Sequence, residues 1–162
     1  MSIRVLLADN HAAILKGVGR LIRDQEDMEV VGQTADGRAV IDLCRRAEPD
    51  VVLMDVGIPV FNGIQATEQI HQEQPRVKII AFSTHASRRS MADAFNAGAS
   101  TYLLKDCDSH ELLAAIRAVG PGETLPSGEL KGDPPEPDLP RKYGATERRF
   151  DSHGSVACPG CP

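Results

Sequence analysis

Asp55 ends the apolar run Val51-Val52-Leu53-Met54, so its carboxylate follows directly on a segment that reads as a strand. In open α/β folds the carboxyl edge of the sheet is where ligands and chemistry collect. Two more reactive groups stand at equivalent places: Asp9, with Asn10 beside it, after Ile3-Arg4-Val5-Leu6-Leu7-Ala8, and Lys105 after Thr101-Tyr102-Leu103-Leu104. A carboxylate in such company can attack a phosphoryl group and form an acyl phosphate, provided the repulsion between the two anions is offset. Mg2+ offsets it, because that ion takes oxygen ligands, keeps several waters and needs only one or two carboxylates besides the phosphoryl oxygens. Asp9 and Asp55 could supply those carboxylates, Lys105 a compact positive charge on the other side, and Ser83 a hydrogen bond to the group once attached.

The elements that would position these groups are legible as a repeat. Strand-like runs at 3–8, 29–34, 50–54, 77–82 and 100–104 alternate with helical periodicity at about 12–24, 37–47, 63–73, 87–97 and 108–119. Ile14, Val18, Leu21 and Ile22 form an apolar stripe, with Lys16, Arg20 and Arg23 turned outward. Ser109 reads as the N-cap of the last helix, ahead of the buried stripe Leu112, Leu113 and Ile116, and Gly98 as the left-handed stop of the fourth. Regular alternation requires parallel strands with helical crossovers, and the apolar runs 51–54 and 79–82 imply strands covered on both faces. The expectation is α/β: a five-stranded, doubly wound parallel sheet.

Composition changes near Gly120. Residues 120–162 hold 8 of the 11 prolines but only five of the residues Val, Ile, Leu, Met and Phe, too little apolar surface to offset ordering entropy. The expected organisation is therefore a folded domain over 1–119 and a disordered tail over 120–162. The net charge of −5 offers no broad basic footprint for nucleic acid. No apolar stretch approaches the roughly 20 residues of a membrane span, and Met1 leads straight into a strand pattern rather than a signal peptide, so a cytoplasmic protein is expected. Four cysteines without a framework, Cys44, Cys107, Cys158 and Cys161, argue against a disulfide scaffold.

Five segments in this order resemble the receiver domain of two-component response regulators, and within it the NarL/FixJ (LuxR-type) branch that usually carries a helix-turn-helix output domain. They are Leu7-Ala8-Asp9-Asn10-His11, Leu53-Met54-Asp55-Val56-Gly57-Ile58-Pro59, Gly63, Phe82-Ser83 and Tyr102-Leu103-Leu104-Lys105-Asp106, covering about 3–119. The resemblance implies a flavodoxin-like (βα)5 sheet of order 2-1-3-4-5 and a phosphoryl group passed from a sensor histidine kinase to Asp55. It implies Mg2+ held by Asp9, Asn10, Asp55 and the backbone carbonyl of Gly57, with Ser83 and Lys105 binding the phosphoryl oxygens. It also implies a switch in which Ser83 moves toward the phosphate and the Tyr102 ring turns inward, altering the face made by the fourth helix, fifth strand and fifth helix. Gly57 and His85 fall at positions that tune phosphoryl lifetime, and modification-dependent homodimers are common among relatives. This chain has Asn10 where most relatives have a second carboxylate, so its Mg2+ affinity is expected to be lower than that of an Asn10→Asp variant. It has Asp106 where many have a proline after a cis bond.

Plainer readings compete for several of these residues. An isolated Asp55 would be a loop-capping acid; Asp9, Ser83 and Lys105 at matching strand ends argue otherwise. Tyr102 could be only a core aromatic. His11 reads as a solvated residue at a helix start, with no His or Cys at zinc spacing. Arg88-Arg89 read as a solvated helix start, and Cys158-Pro159-Gly160-Cys161 is half a zinc site at most. Gly17, Gly19, Gly120 and Gly122 sit in no phosphate-cradling frame. An aspartyl-nucleophile phosphatase would need an acid two residues after Asp55, where Gly57 stands, and a flavin or nucleotide module would meet repulsion from Asp9. Residues 120–162 show no paired amphipathic helices, so DNA binding by this chain is not expected. The alternatives are a stand-alone receiver or a truncated or frame-shifted relative of a transcription factor.

Overall fold

A computed structural model describes residues 1–121. The chain alternates β1 (Ile3–Ala8), α1 (Ala12–Arg23), β2 (Met28–Thr34), α2 (Gly37–Ala47), β3 (Val51–Asp55), α3 (Gly63–Glu73), β4 (Lys78–Ser83), α4 (Arg88–Ala97), β5 (Thr101–Leu104) and α5 (Ser109–Val119). All strand pairs are parallel and the sheet order is β2-β1-β3-β4-β5, the flavodoxin-like arrangement expected. Asp55 and Ser83 are the last residues of their strands rather than the first beyond them. The tail and the Cys158/Cys161 pair lie outside the described residues.

Side chains along β3 alternate between two cores, as a pleated strand covered on both faces must. Val51 and Leu53 join Val5, Leu7, Ile80, Phe82 and Leu103 beneath α1 and α5, whose Ile22, Leu112, Leu113 and Ile116 are buried. Val52 and Met54 join Leu6, Ala8 and Ile79 beneath α2 and α3, against Val40, Cys44, Ala66 and Ile70. At about 1.5–3 kcal/mol for each fully buried large aliphatic side chain, these two layers are what hold the strand ends in register. Exposed ion pairs add cross-links between helices and loops: Arg45 reaches Glu73 at 2.9 and 2.8 Å, and Arg117 reaches Asp27 at 2.7 and 2.9 Å. The guanidinium of Arg117 holds the Asp27 carboxyl below its ordinary value.

Caps define the helix starts. Asp36 accepts from the Arg38 amide at 2.8 Å, Asn62 and Gln65 form a reciprocal capping box, and Ser87 accepts from the Ser90 amide at 3.0 Å. For α5 the cap is Asp108, not Ser109: its carboxylate accepts from the Glu111 amide at 2.7 Å, and Ser109 is already helical. The carboxylate carries a full charge to the amide end of the helix dipole, which a hydroxyl one residue later cannot do. Gly98 does end α4 in the left-handed region, at φ 109°, and a Cβ there would run into the ring of His71. Helix α1 is the exception, since its N-cap His11 makes no side-chain cap bond.

Asp108→Ala is expected to lower unfolding free energy by about 1 kcal/mol in urea denaturation, whereas Ser109→Ala should stay within about 0.5 kcal/mol of the parent.

Candidate functional site

The sheet reverses its winding between β1 and β3, and the carboxyl ends of these two neighbours point the same way. Ala8 pairs with Met54, so the next residues, Asp9 and Asp55, stand side by side. Backbone hydrogen bonds carry the ladder past the strand ends: the Asp9 amide to the Thr34 carbonyl at 3.0 Å, Val56 to Phe82 at 3.1 Å, and Lys105 to Ser83 at 2.7 Å. Those bonds fix the directions from which the three side chains leave.

The two aspartates are built alike. Oδ1 of Asp9 accepts from the His11 amide and Oδ1 of Asp55 from the Gly57 amide, each at 2.8 Å, closing an Asx turn over its own loop. Oδ2 of each faces the Lys105 ammonium, at 2.6 Å from Asp9 and 3.1 Å from Asp55. Both carboxylates are buried, both Oδ2 atoms lack a partner of hydrogen-bond geometry, and the lysine side chain is only 6% exposed. The contacts are therefore charge on charge, with Nζ also 5.9 Å from the centre of the Phe82 ring. No cis peptide bond occurs among the described residues, so Lys105 reaches the acids across an ordinary trans link to Asp106.

His11 is the exposed helix-start residue the sequence implies, N-cap of α1 with its side chain 56% exposed, and one edge of its ring also reaches this cluster. Its Nδ1 lies 3.0 Å from Asp9 Oδ1, 3.2 Å from Lys105 Nζ and 4.0 Å from Asp55 Oδ2. This explains the missing cap on α1, since the ring that would serve the helix is turned to the pocket. No motif spacing could have flagged it. The usable signal was its position two residues beyond Asp9, the reach of an Asx turn. Asn10 is exposed and its side chain takes no part in these contacts.

A second group sits at the end of β4. Ser83 is buried; its Oγ donates to the His85 carbonyl and accepts from the His85 amide, both at 3.2 Å. The Tyr102 hydroxyl donates to that same carbonyl at 2.8 Å, while its ring packs against Ala81, Ala94 and Ala99. Ser83 and Tyr102 thus share one backbone acceptor, and the Tyr102 hydroxyl is hydrogen-bonded to the protein while its ring lies against the core. The His85 ring is exposed and pairs with the Thr84 hydroxyl at 2.8 Å. The two described cysteines are free; burial pushes the Cys44 thiol up to about 12 and also raises Cys107, which leaves both poor nucleophiles.

Residues 5–117 match the family described as the response regulator receiver domain. This chain belongs to that family. The receiver is 40% identical over 123 residues to the transcriptional regulatory protein YxjL of Bacillus subtilis, covering 76% of this chain and 56% of that protein. It is 34% identical over 120 residues to the transcriptional regulatory protein DegU of Brevibacillus brevis, covering 74% and 51%. The chain thus spans little more than half the length of these curated relatives. Among solved structures it is similar to a LuxR-family two-component response regulator from Aurantimonas sp. SI85-9A1, with TM-score 0.70, 36% identity and coverage of 74% and 85%. It is also similar to the response regulator domain of Thermotoga maritima CheB, with TM-score 0.68, 29% identity and coverage of 74% and 96%. None of the described helices is long and apolar enough to cross a membrane.

The loop that carries Asp55 depends on a close approach. A Cβ on Gly63 would overlap the Asp55 carbonyl oxygen, so α3 can start where it does only with glycine there. Gly63→Ala should cost roughly 1–3 kcal/mol by thermal or urea unfolding, while Gly17→Ala, with nothing within 4 Å, should be neutral or slightly stabilising.

Proposed function

We propose that residues 1–119 act as a phosphoacceptor switch in a two-component relay, with Asp55 as the acceptor, and that residues 120–162 form a separate tail. The observation that carries this reading is the pair of buried Oδ2 atoms, one on Asp9 and one on Asp55, that face a positive charge without any hydrogen bond. Two anions side by side in a low-dielectric pocket are useful only if a positive charge is always between them, and that is also what a phosphoryl acceptor requires.

The donor set fits Mg2+. Carboxylate oxygens of Asp9 and Asp55, the Gly57 carbonyl and the neighbouring Asn10 amide are hard oxygen ligands, and the two Oδ2 atoms, which face Lys105 without a hydrogen bond, would take a metal bond as the ammonium withdraws. Once bound, the ion would neutralise the approaching phosphoryl oxygens. With Asn10 in place of an acid, the site holds one negative charge fewer, which weakens its hold on a hard cation.

In the transfer, an Asp55 carboxylate oxygen forms the bond to phosphorus as the bond between phosphorus and the imidazole nitrogen of the kinase's phosphohistidine breaks. The electron pair leaves with that nitrogen. Lys105 moves its ammonium from the carboxylates to the phosphoryl oxygens, and the Ser83 hydroxyl exchanges the His85 carbonyl for a phosphoryl oxygen. That exchange leaves the Tyr102 hydroxyl as the sole side-chain donor to the carbonyl and frees the loop 84–87 to shift. The ring then turns inward and changes the face made by α4, β5 and α5. A full swing of the population from 1:99 to 99:1 would require about 5.5 kcal/mol of preference for the modified state. Gly57 and His85, flanking the pocket, are the positions that set how readily water reaches the acyl phosphate. Gly57 offers its amide to Asp55 and no acid to a leaving group, which favours the switch over an aspartyl-nucleophile phosphatase. The partners this reading implies are a histidine kinase upstream, and a second copy of the chain or another protein at the switched face.

Incubated with a small phosphodonor and Mg2+, the full chain should gain the mass of one phosphoryl group, stable to acid, and Asp55→Asn should gain none. An unchanged parent mass, or an equal gain in the variant, would overturn the assignment.

A further inference from the structure

His11 is the member of the buried cluster to which the phosphoacceptor reading gives no task. The Lys105 ammonium is surrounded by three donor atoms: Asp9 Oδ2 at 2.6 Å, Asp55 Oδ2 at 3.1 Å and His11 Nδ1 at 3.2 Å. A positive charge therefore already occupies a centre defined by two oxygens and one nitrogen. Asp9, His11 and Asp55 can each offer a ligand atom with all three within 4.8 Å of one another, and both Oδ2 atoms are buried with no hydrogen bond. Ligands bonded to one cation at about 2.0–2.2 Å stand about 3 Å apart when adjacent and about 4 Å apart when opposite, and His11 Nδ1 lies 3.0 Å from Asp9 Oδ1 and 4.0 Å from Asp55 Oδ2. Nδ1 has a single in-plane site. It either carries a proton toward Asp9 Oδ1 or presents a lone pair to a cation, and in the second form the proton resides on Nε2, on a side chain 56% exposed.

We propose that His11 Nδ1 is a direct metal ligand beside Asp9 and Asp55, making the pocket an oxygen–nitrogen site that prefers Mn2+ over Mg2+ more strongly than its carboxylates alone would. The inference rests on the reading that Asp9 and Asp55 hold a cation. An imidazole nitrogen adds little for hard Mg2+ and more for a first-row transition ion. Asn10 reinforces the bias, because an amide at that position lacks the charge that most favours Mg2+. The ring is not committed to α1, since it makes no cap bond there, and its Nδ1 faces Asp9 and Lys105 instead.

Mn2+ is the probe, measured on the full chain by loss of the free-ion electron paramagnetic resonance signal, with Mg2+ affinity obtained by competition. Electron spin echo modulation reads nitrogen bound to the ion. The parent should show a directly bound 14N that His11→Asn loses, with Mn2+ affinity falling about tenfold and Mg2+ affinity changing less than about twofold. Asn is a strong N-cap, so this variant keeps the start of α1. No 14N coupling in the parent, or an equal loss of both metals in His11→Asn, would overturn the proposal. Asp9→Asn serves as the control. If it weakens both metals while His11→Asn weakens neither, the cation site stands and the role of His11 falls; if it weakens neither, both fall together.

Discussion

One ammonium group between two buried carboxylates sets the terms for the rest of this domain. Each aspartate spends Oδ1 on closing its own loop, which fixes both carboxylates against the sheet edge and leaves the Oδ2 atoms aimed at a common point. Two such anions could not share a pocket of low dielectric without a positive partner, and removing that partner strands charge where water cannot reach it easily. Lys105 supplies the charge on a stem long enough to reach both acids and mobile enough to leave them. An arginine would be held in one plane by its fork. The arrangement is stable only while a cation is present, and it does not require that cation to be lysine.

The sheet supplies the constraint that makes this possible. β1 and β3 must be neighbours for Asp9 and Asp55 to meet, and only an order in which the chain reverses its direction of winding brings the first and third strands together. β5 lies two places away from β3, so Lys105 must extend back over Phe82, whose ring lies beneath its Nζ. β4, between them, places Ser83 at the rim and links it through the His85 carbonyl to Tyr102. Ser83, the His85 carbonyl and the Tyr102 phenol thus form one hydrogen-bonded set between the end of β4 and β5.

Much of this was readable from residue order. Short β-branched and apolar runs alternating with a 3.6-residue period mark all ten elements, most clearly where burial on both faces leaves a strand purely apolar, as in Val51-Val52-Leu53-Met54. Asp9, Asp55, Ser83 and Lys105 were recognisable because a polar residue directly after such a run has one place to go. The errors share a physical origin. Ser109 and Asp108 both suit an N-cap, and only backbone geometry shows which one is already helical. His11 is exposed at a helix start as read, but its approach to Lys105 and Asp55 was not legible, because those two partners lie far along the chain. The coupling of Ser83 to Tyr102 passes through a backbone carbonyl, which every residue has and no sequence pattern can mark.

If an ammonium is the cation that makes two buried carboxylates tolerable, then a different cation should be able to replace it. Unfolding of Lys105→Met, which keeps the apolar stem over Phe82 and removes the charge, tests this with and without Mg2+. The account predicts a loss of about 3 kcal/mol in metal-free buffer, most of it recovered when Mg2+ binds the folded state. A variant as stable as the parent in metal-free buffer, with no response to Mg2+, would contradict it.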